Sequence, residues 1–308
     1  MNPTTLGALW IAGGTSLIAL GDNFITGLSR EMGLWQFHVL RSAMTVPVAV
    51  VVAVLVGQAA RLRPRAPGHV ILRNLYAAAG LMLYFAALPA VGIAQAAAGF
   101  FTAPIWAVLL SALVFGERVG PRRILGMAIG FTGVCLVLGV GVEPLRAMAV
   151  VPVAGGVCYA LNVIWTRRYC VDETALCLAI WQFLALFAVG LVGVGLAPAL
   201  AASLRSVPGT EFATLGWQPV SWSGAGAVFL IGIGGIVATG CQAQGYRLGP
   251  ASVMGLFDFS FLFWAPFFAW LVWGEVVSPR MVLGMALIMV AGSLAIWSEA
   301  RAETTRDG

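Results

Sequence analysis

The chain has 308 residues, 60% of them apolar and only 9% charged, against about 25% charged in an ordinary water-soluble domain. Its formal charge of +5 rests on arginine alone, with no lysine, and the arginines fall in short clusters between apolar runs. That distribution excludes a soluble globular domain and the continuous basic face of a nucleic-acid binder, and leaves a protein oriented in a bilayer by its loop charges.

A helix that crosses the hydrocarbon needs about 20 mostly apolar residues. Cutting the chain at its polar turns predicts ten spans: 5–28, 34–57, 71–90, 93–115, 121–141, 149–168, 174–197, 222–244, 250–273 and 279–298. The first apolar run lacks a basic leader and continues too far for the short core of a signal peptide, so the first helix is expected to be retained.

Asp22 and Asn23 fall late in the first span, and His38 and Arg41 lie one turn apart in the second. An Asp22 to Arg41 pair across neighbouring helices reads either as structure or, with His38, as a gate or a contact for a substrate carboxylate. Tyr84 follows in the third span. In the fourth, Gln95, Gly99, Thr102 and Trp106 are spaced to share one helical face, with Pro104 set among them to bend the helix.

Residues 116–128, GERVGPRRILGMA, close the fourth span and open the fifth, and residues 274–286, GEVVSPRMVLGMA, do the same for the ninth and tenth. The two blocks agree at nine of thirteen positions at an offset of 158, which also pairs Phe101 with Phe259, Thr102 with Ser260 and Trp106 with Trp264. The chain is therefore read as a duplication. Pro121 and Pro279 sit where a helix begins, since the amide that proline lacks would be unpaired there anyway.

In the fifth span Gly126 and Gly130 make a small-xxx-small pattern that suits internal packing or a weak dimer as well as a monomer. Tyr159, Asn162 and Thr166 form one face of the sixth span with Trp165 beside it, and an offset of 139 pairs Asn162 with Asn23. The stretch 198–221 reads as an external loop with interfacial contact. Gln242, in the eighth span, is the counterpart of Tyr84.

Asp258 sits inside the aromatic run of the ninth span, with Trp264 and Pro266 beyond it. A carboxylate at such a depth costs about 2.5–3.5 kcal/mol on insertion scales, so it is expected to meet water, a partner or a solute. Its structural alternative is a bond to Gln242 or Gln244.

With both termini cytoplasmic, the inner loops and tail hold twelve arginines and the outer loops four, so the positive-inside rule sets that orientation. Five spans per half make the second half enter from the opposite side. The expected architecture is all-α, two inverted five-helix repeats at 1–145 and 146–300, with a cytoplasmic tail at 301–308. The five cysteines and two histidines form no metal-ligating or disulfide spacing, and no nucleophile elbow or phosphate loop is present, so no enzyme and no cofactor are expected.

Ten helices with a G-E-x-x-x-P-R-x-x-L-G hairpin after the fourth helix of each half resemble the EamA-type drug/metabolite transporter superfamily, and Arg41 matches an arginine common in its second helix. The aromatic-lined helices are similar to its bacterial amino-acid exporters of the YddG type. The resemblance implies a bacterial inner-membrane exporter of aromatic and other neutral amino acids and related metabolites, working by alternating access. It implies a central cavity lined by Asn23, Tyr84, Trp106, Asn162, Trp165, Gln242, Asp258 and Trp264, with Tyr159 on the same wall. Cationic drugs or nucleoside-like metabolites are the alternative cargo, and a binding protein without flux is the alternative role.

Overall fold

A computed structural model describes residues 2–116, 121–140, 147–249 and 251–304. Glu117, the expected repeat boundary at 145/146 and the last four residues of the expected tail lie outside the described residues, as does the side chain of Val253. The described residues form fourteen α-helices and one 3-10 turn, with no strand.

The first span is α1 (Pro3–Asn23) with a short continuation, α2 (Ile25–Leu28). Asn2 starts it, accepting the Thr4 amide at 3.1 Å, with Pro3 in the first turn. There follow α3 (Leu34–Leu55), α4 (Pro67–Val91), α5 (Ile93–Phe100), α6 (Ala103–Phe115), α7 (Pro121–Leu138), α8 (Ala147–Tyr169) and α9 (Ala175–Ser203). The chain closes with α10 (Glu211–Thr214), α11 (Trp222–Leu248), α12 (Ala251–Asp258), α13 (Phe261–Trp273) and α14 (Pro279–Thr304). Eight helical stretches are long and apolar enough to cross a membrane, and shorter apolar helices at Ile124–Leu138 and Pro279–Leu294 stand where the fifth and tenth spans were expected. α4 begins at Pro67, before the expected 71, so Arg73, one of the twelve arginines counted as inner-loop charges although it falls at the edge of the expected span, lies within the helix, and α14 runs on to Thr304 into the expected tail.

The fourth and ninth spans are each interrupted, and all four helix ends in one differ from those in the other by the repeat offset of 158. Proline was expected to bend these spans; the break comes elsewhere. Pro104 lies in the first turn of α6, where it costs no hydrogen bond, and Pro266 lies inside α13, beyond the break. The interruptions fall instead at the paired positions Thr102 and Ser260. Thr102 Oγ1 donates to Gly99 O at 2.6 Å, and Ser260 Oγ shares a 2.7 Å hydrogen bond with Thr15 Oγ1 of α1. Short turns, Ser260 N to Phe257 O and Leu262 N to Phe259 O, each at 3.0 Å, take up part of the freed backbone.

The most extensive packing joins α4 to α8, α1 to α11, α7 to α14 and α3 to α9. Each pair takes one helix from before residue 139 and one from after 146, and the set maps onto itself when the first five spans are exchanged with the last five. Small residues permit it: a Cβ on Gly155 would lie 2.8 Å from Gly80 O, and one on Gly14 would lie 2.9 Å from Ala238 O.

Loops at each end also tie together. Glu173 Oε1 accepts the Arg65 and Ala66 amides at 2.7 and 2.8 Å, and Trp181 Nε1 donates to Leu62 O at 3.1 Å. At the other end Gln36 and Gln218 exchange side-chain-to-backbone bonds of 2.7 and 2.9 Å, and Trp35 Nε1 donates to Ala213 O at 2.7 Å. The 198–221 stretch is thus docked on the start of α3 through α10, with Phe212 buried beneath it.

Gly155→Ala pushes a methyl into the α4 backbone, and overpacking of this kind costs about 1–3 kcal/mol. The expected outcome is a lower unfolding midpoint in detergent, with Gly13→Ala, which meets nothing within 4 Å, showing no loss.

Candidate solute site

Asp258 is the last residue of α12, so its carboxylate stands at the break in the ninth span. Its Oδ2 accepts the Tyr246 hydroxyl of α11 at 2.5 Å, in place of the expected bond to Gln242 or Gln244, while Oδ1 is buried with no partner. Gln242 and Tyr246, one turn apart on α11, line a cavity of about 800 Å³ between the end of α3, the start of α9 and the end of α11. Ala49 and Ala53 of α3 form one wall, and Arg61, Thr239 and Arg247 bring polar groups to others. Among the nine residues expected to contact solute, Gln242 is the one on this wall. The spacing from Gln242 to Tyr246 was the signal that would have added the tyrosine.

A second polar group is buried where α1, α3 and α4 meet. Asp22 accepts the Tyr84 hydroxyl at 3.0 Å, so Tyr84 belongs with Asp22. Arg41 makes no direct hydrogen bond or ion pair to Asp22, though the two charges attract each other, and its guanidinium carbon lies 5.3, 5.4 and 5.3 Å from the ring centres of Phe37, Phe85 and Phe183. Rings this close attract a cation through their quadrupoles. His38 is wedged between Phe37 and Phe85, 5.0 Å from each. The row continues through Phe85, Tyr84, Phe100 and Tyr159 at ring separations of 5.0 to 5.1 Å, crossing from α4 through α5 to α8.

The paired asparagines differ in use. Asn23 is a tie between helices: Nδ2 donates to Ala19 O at 2.8 Å and Ala265 O at 3.2 Å, and its carbonyl accepts Trp273 Nε1 at 3.0 Å. Asn162 is buried with its Oδ1 unpartnered. The paired tryptophans were expected to share a cavity wall, and the structure separates them. Trp106 donates to Thr102 Oγ1 at 3.1 Å and sits edge-on to Phe131 of α7, 5.2 Å between centres. Trp264 packs among Phe263, Phe267 and Phe268 of its own helix, its Nε1 unpartnered. Trp165 packs on His69, Tyr76 and Tyr169 at one end of α4 and α8. Arg73, counted above as a loop charge, is buried and donates to Thr166 Oγ1 at 2.9 Å, Asn74 Oδ1 at 2.6 Å and Leu178 O at 3.2 Å.

Eight membrane-length apolar helices among the described residues, two of the spans interrupted, and an open, mostly apolar cavity with a few polar groups make this a multi-pass membrane protein of a kind suited to moving solutes. Residues 5–139 match the EamA-like transporter family. The chain is 29% identical over 245 residues to a riboflavin transporter of Rhizobium johnstonii, covering 79% of this chain and 75% of that one. It is 24% identical over 292 residues to a riboflavin transporter of Vibrio cholerae, covering 92% and 91%. An uncharacterized transporter of Helicobacter pylori is 26% identical over 218 residues, covering 70% and 68%. A crystal structure at 20% identity superposes on 96% of this chain and 98% of its own with a TM-score of 0.59, a likeness of fold alone. The first part of the chain thus carries the EamA-like transporter match, and relatives spanning most of its length are described as transporters, which points to a multi-pass membrane transporter of small molecules and not to an enzyme.

Tyr84→Phe leaves a buried Asp22 oxygen without its donor, a loss of about 1–3 kcal/mol. Tyr246 is 38% exposed, so water entering from the cavity can replace its hydroxyl. Melting of the detergent-purified variants is expected to show the larger drop for Tyr84→Phe; equal drops would place both pairs in the same surroundings.

Proposed function

We propose that this transporter carries planar heteroaromatic solutes that present several hydrogen-bonding groups, with riboflavin the first to test. The observation that carries the reading is that relatives spanning most of the chain, in Rhizobium johnstonii, Brucella anthropi and Vibrio cholerae, are described as riboflavin transporters at 24 to 29% identity. The site supports it independently. A ring system needs apolar walls and a few placed polar groups, and the cavity sets Thr239, Gln242 and Tyr246 on the α11 wall opposite the alanines and valines at the end of α3, with Arg61 and Arg247 among the other polar groups of its lining. Its volume of about 800 Å³ accommodates a tricyclic ring with a polyol tail.

The protein divides into two five-helix units meeting between residues 145 and 146, with the tail at 301–308, and rocking of one unit against the other moves the solute. The exchange symmetry of the packing pairs supports that division. Both termini face the cytoplasm of a bacterium's inner membrane, as eleven arginines against four favour once the buried Arg73 is taken from the twelve. Loop contacts fit the same sidedness, since Glu173 and the Arg65 backbone meet at one end and Gln36 and Gln218 at the other. In this reading the cavity faces the cytoplasm, and Tyr246 and Gln242 hold the solute from the second half, with Asp258 behind the Tyr246 hydroxyl.

A second cargo, neutral and aromatic amino acids moved outward, is favoured by one observation. Asp258 has an oxygen with no partner, which suits an ammonium group.

Uptake of labelled riboflavin, phenylalanine and threonine into proteoliposomes, each against itself as counterflow substrate, separates the cargoes. Saturable riboflavin exchange with little for the amino acids is expected, reduced about tenfold by Gln242→Ala, the loss of one hydrogen bond to the solute. Trp106→Ala, whose indole faces α7, is expected to keep the wild-type KM. Phenylalanine exchange that depends on Asp258, without riboflavin exchange, would replace this reading by the second.

A further inference from the structure

α3 carries a stripe of polar side chains that continues the cavity wall into the protein. Ala49 and Ala53 line the cavity; one turn further in stands Thr45, then Ser42 and Arg41, then His38, at the three- and four-residue steps that keep one helical face. All four polar residues are buried, at 0% exposure for Thr45, 1% for Ser42, 8% for Arg41 and 0% for His38. Thr45 Oγ1, Ser42 Oγ, Arg41 Nε and both ring nitrogens of His38 have no hydrogen-bond partner.

Such groups are normally paired, because burying a donor without an acceptor is costly. Helical hydroxyls have a cheap local remedy, the carbonyl one turn back. Thr15, Thr132, Thr166, Thr239 and Ser293 all take it here. Ser42 and Thr45 do not, although the same carbonyls are within their helix. The nearest carboxylate, Asp22, accepts Tyr84 and attracts Arg41 through space, but makes no hydrogen bond to any group of the stripe. α11 closes over the stripe at Gly232, where a Cβ would collide with the Thr45 hydroxyl and touch Arg41.

We propose that this stripe is a ligand-binding subsite, closed in this conformation and opened when α11 moves off α3, and that it takes the acceptor-bearing edge of a flat ring. The offered groups are donors in the main: a guanidinium, two hydroxyls and an imidazole. Phe37, Phe85 and Phe183 around Arg41 supply apolar walls for the ring itself. A ring that carries neighbouring carbonyls, such as the dione edge of a flavin, is the matching chemistry. The proposal rests on the riboflavin reading for its choice of ring, whereas the opening of the stripe is independent of any cargo.

Two arms test it. In proteoliposomes, lumichrome, which keeps the dione edge without the polyol, competes with riboflavin uptake, while phenazine, three rings with no carbonyl, competes weakly. Ser42→Ala, Thr45→Val and Arg41→Gln are each expected to weaken lumichrome competition about tenfold and to leave phenazine unchanged. Arg41→Lys, which keeps the charge but not the planar fork, serves if Arg41→Gln fails to fold. Variants that lose both competitors equally, or neither, overturn the subsite. In the second arm Thr45→Cys and Ala53→Cys are labelled in vesicles with a small thiol reagent, over the background of the five native cysteines. Thr45→Cys is expected to react, more slowly with lumichrome present. If Ala53→Cys reacts and Thr45→Cys does not, the stripe never opens and the proposal falls. A reactive Thr45→Cys in protein that exchanges no riboflavin keeps the opening and removes the flavin cargo.

Discussion

Everything in this fold answers to the absence of water around the backbone. In hydrocarbon each amide and carbonyl must find its partner inside the protein, which is why the described residues are helical throughout their apolar stretches. The two interruptions, at Thr102 and Ser260, are tolerated because hydroxyls and short turns take up the released groups there. One of the interruptions carries Asp258, so the expensive backbone irregularity and the expensive charge share a location. A cell that retains both gains polar groups at depth, which a continuous helix cannot present.

The same medium shapes how the helices hold together. Apolar side chains gain nothing by leaving lipid for other apolar side chains, so close backbone approach and polar ties carry the packing. Gly80 against Gly155 and Gly14 against Ala238 bring α4 to α8 and α1 to α11 into contact, always across the midpoint of the chain. Asn23 ties α1 to α13. A bundle whose strongest contacts cross between its halves, with side chains such as Trp35 and Ile11 seated against glycines of the partner helix, moves by shifting whole helix pairs. The unpaired groups of the α3 stripe then mark which surface this conformation keeps shut.

The broad plan was legible in the sequence because it depends on composition and repetition. Apolar run length set the spans, and the repeated Gly-Glu and Pro-Arg hairpin set the offset that the interrupted helices obey to the residue. What the sequence did not disclose depends on which way a side chain turns. Trp106 and Trp264 occupy equivalent positions yet face different neighbours, because the repeats have diverged around them: Phe131 receives one and a belt of phenylalanines the other. Asp258 found Tyr246 rather than an amide, a choice made by the meeting of α11 and α12. Arg73, counted with the loop charges from the edge of its span, turns inward to Thr166, Asn74 and Leu178 because α4 starts earlier, at Pro67, and packs it against α8 and α9. Pro104 misled in the opposite sense, since a proline in a first turn interrupts nothing, and Pro266 lies within α13, past the break rather than at it.

The central claim is that the cavity between α3, α9 and α11 is the solute's path. Ala243 lies on its wall, and Ala243→Trp fills it from a helix face that faces open space. Riboflavin exchange by this variant in proteoliposomes, measured beside the wild type and with its melting temperature checked, is the direct test. Exchange at the level of protein-free vesicles from a protein that melts as the wild type does is the predicted result. Exchange at the wild-type rate with the cavity filled would contradict the account and place the path elsewhere in the bundle.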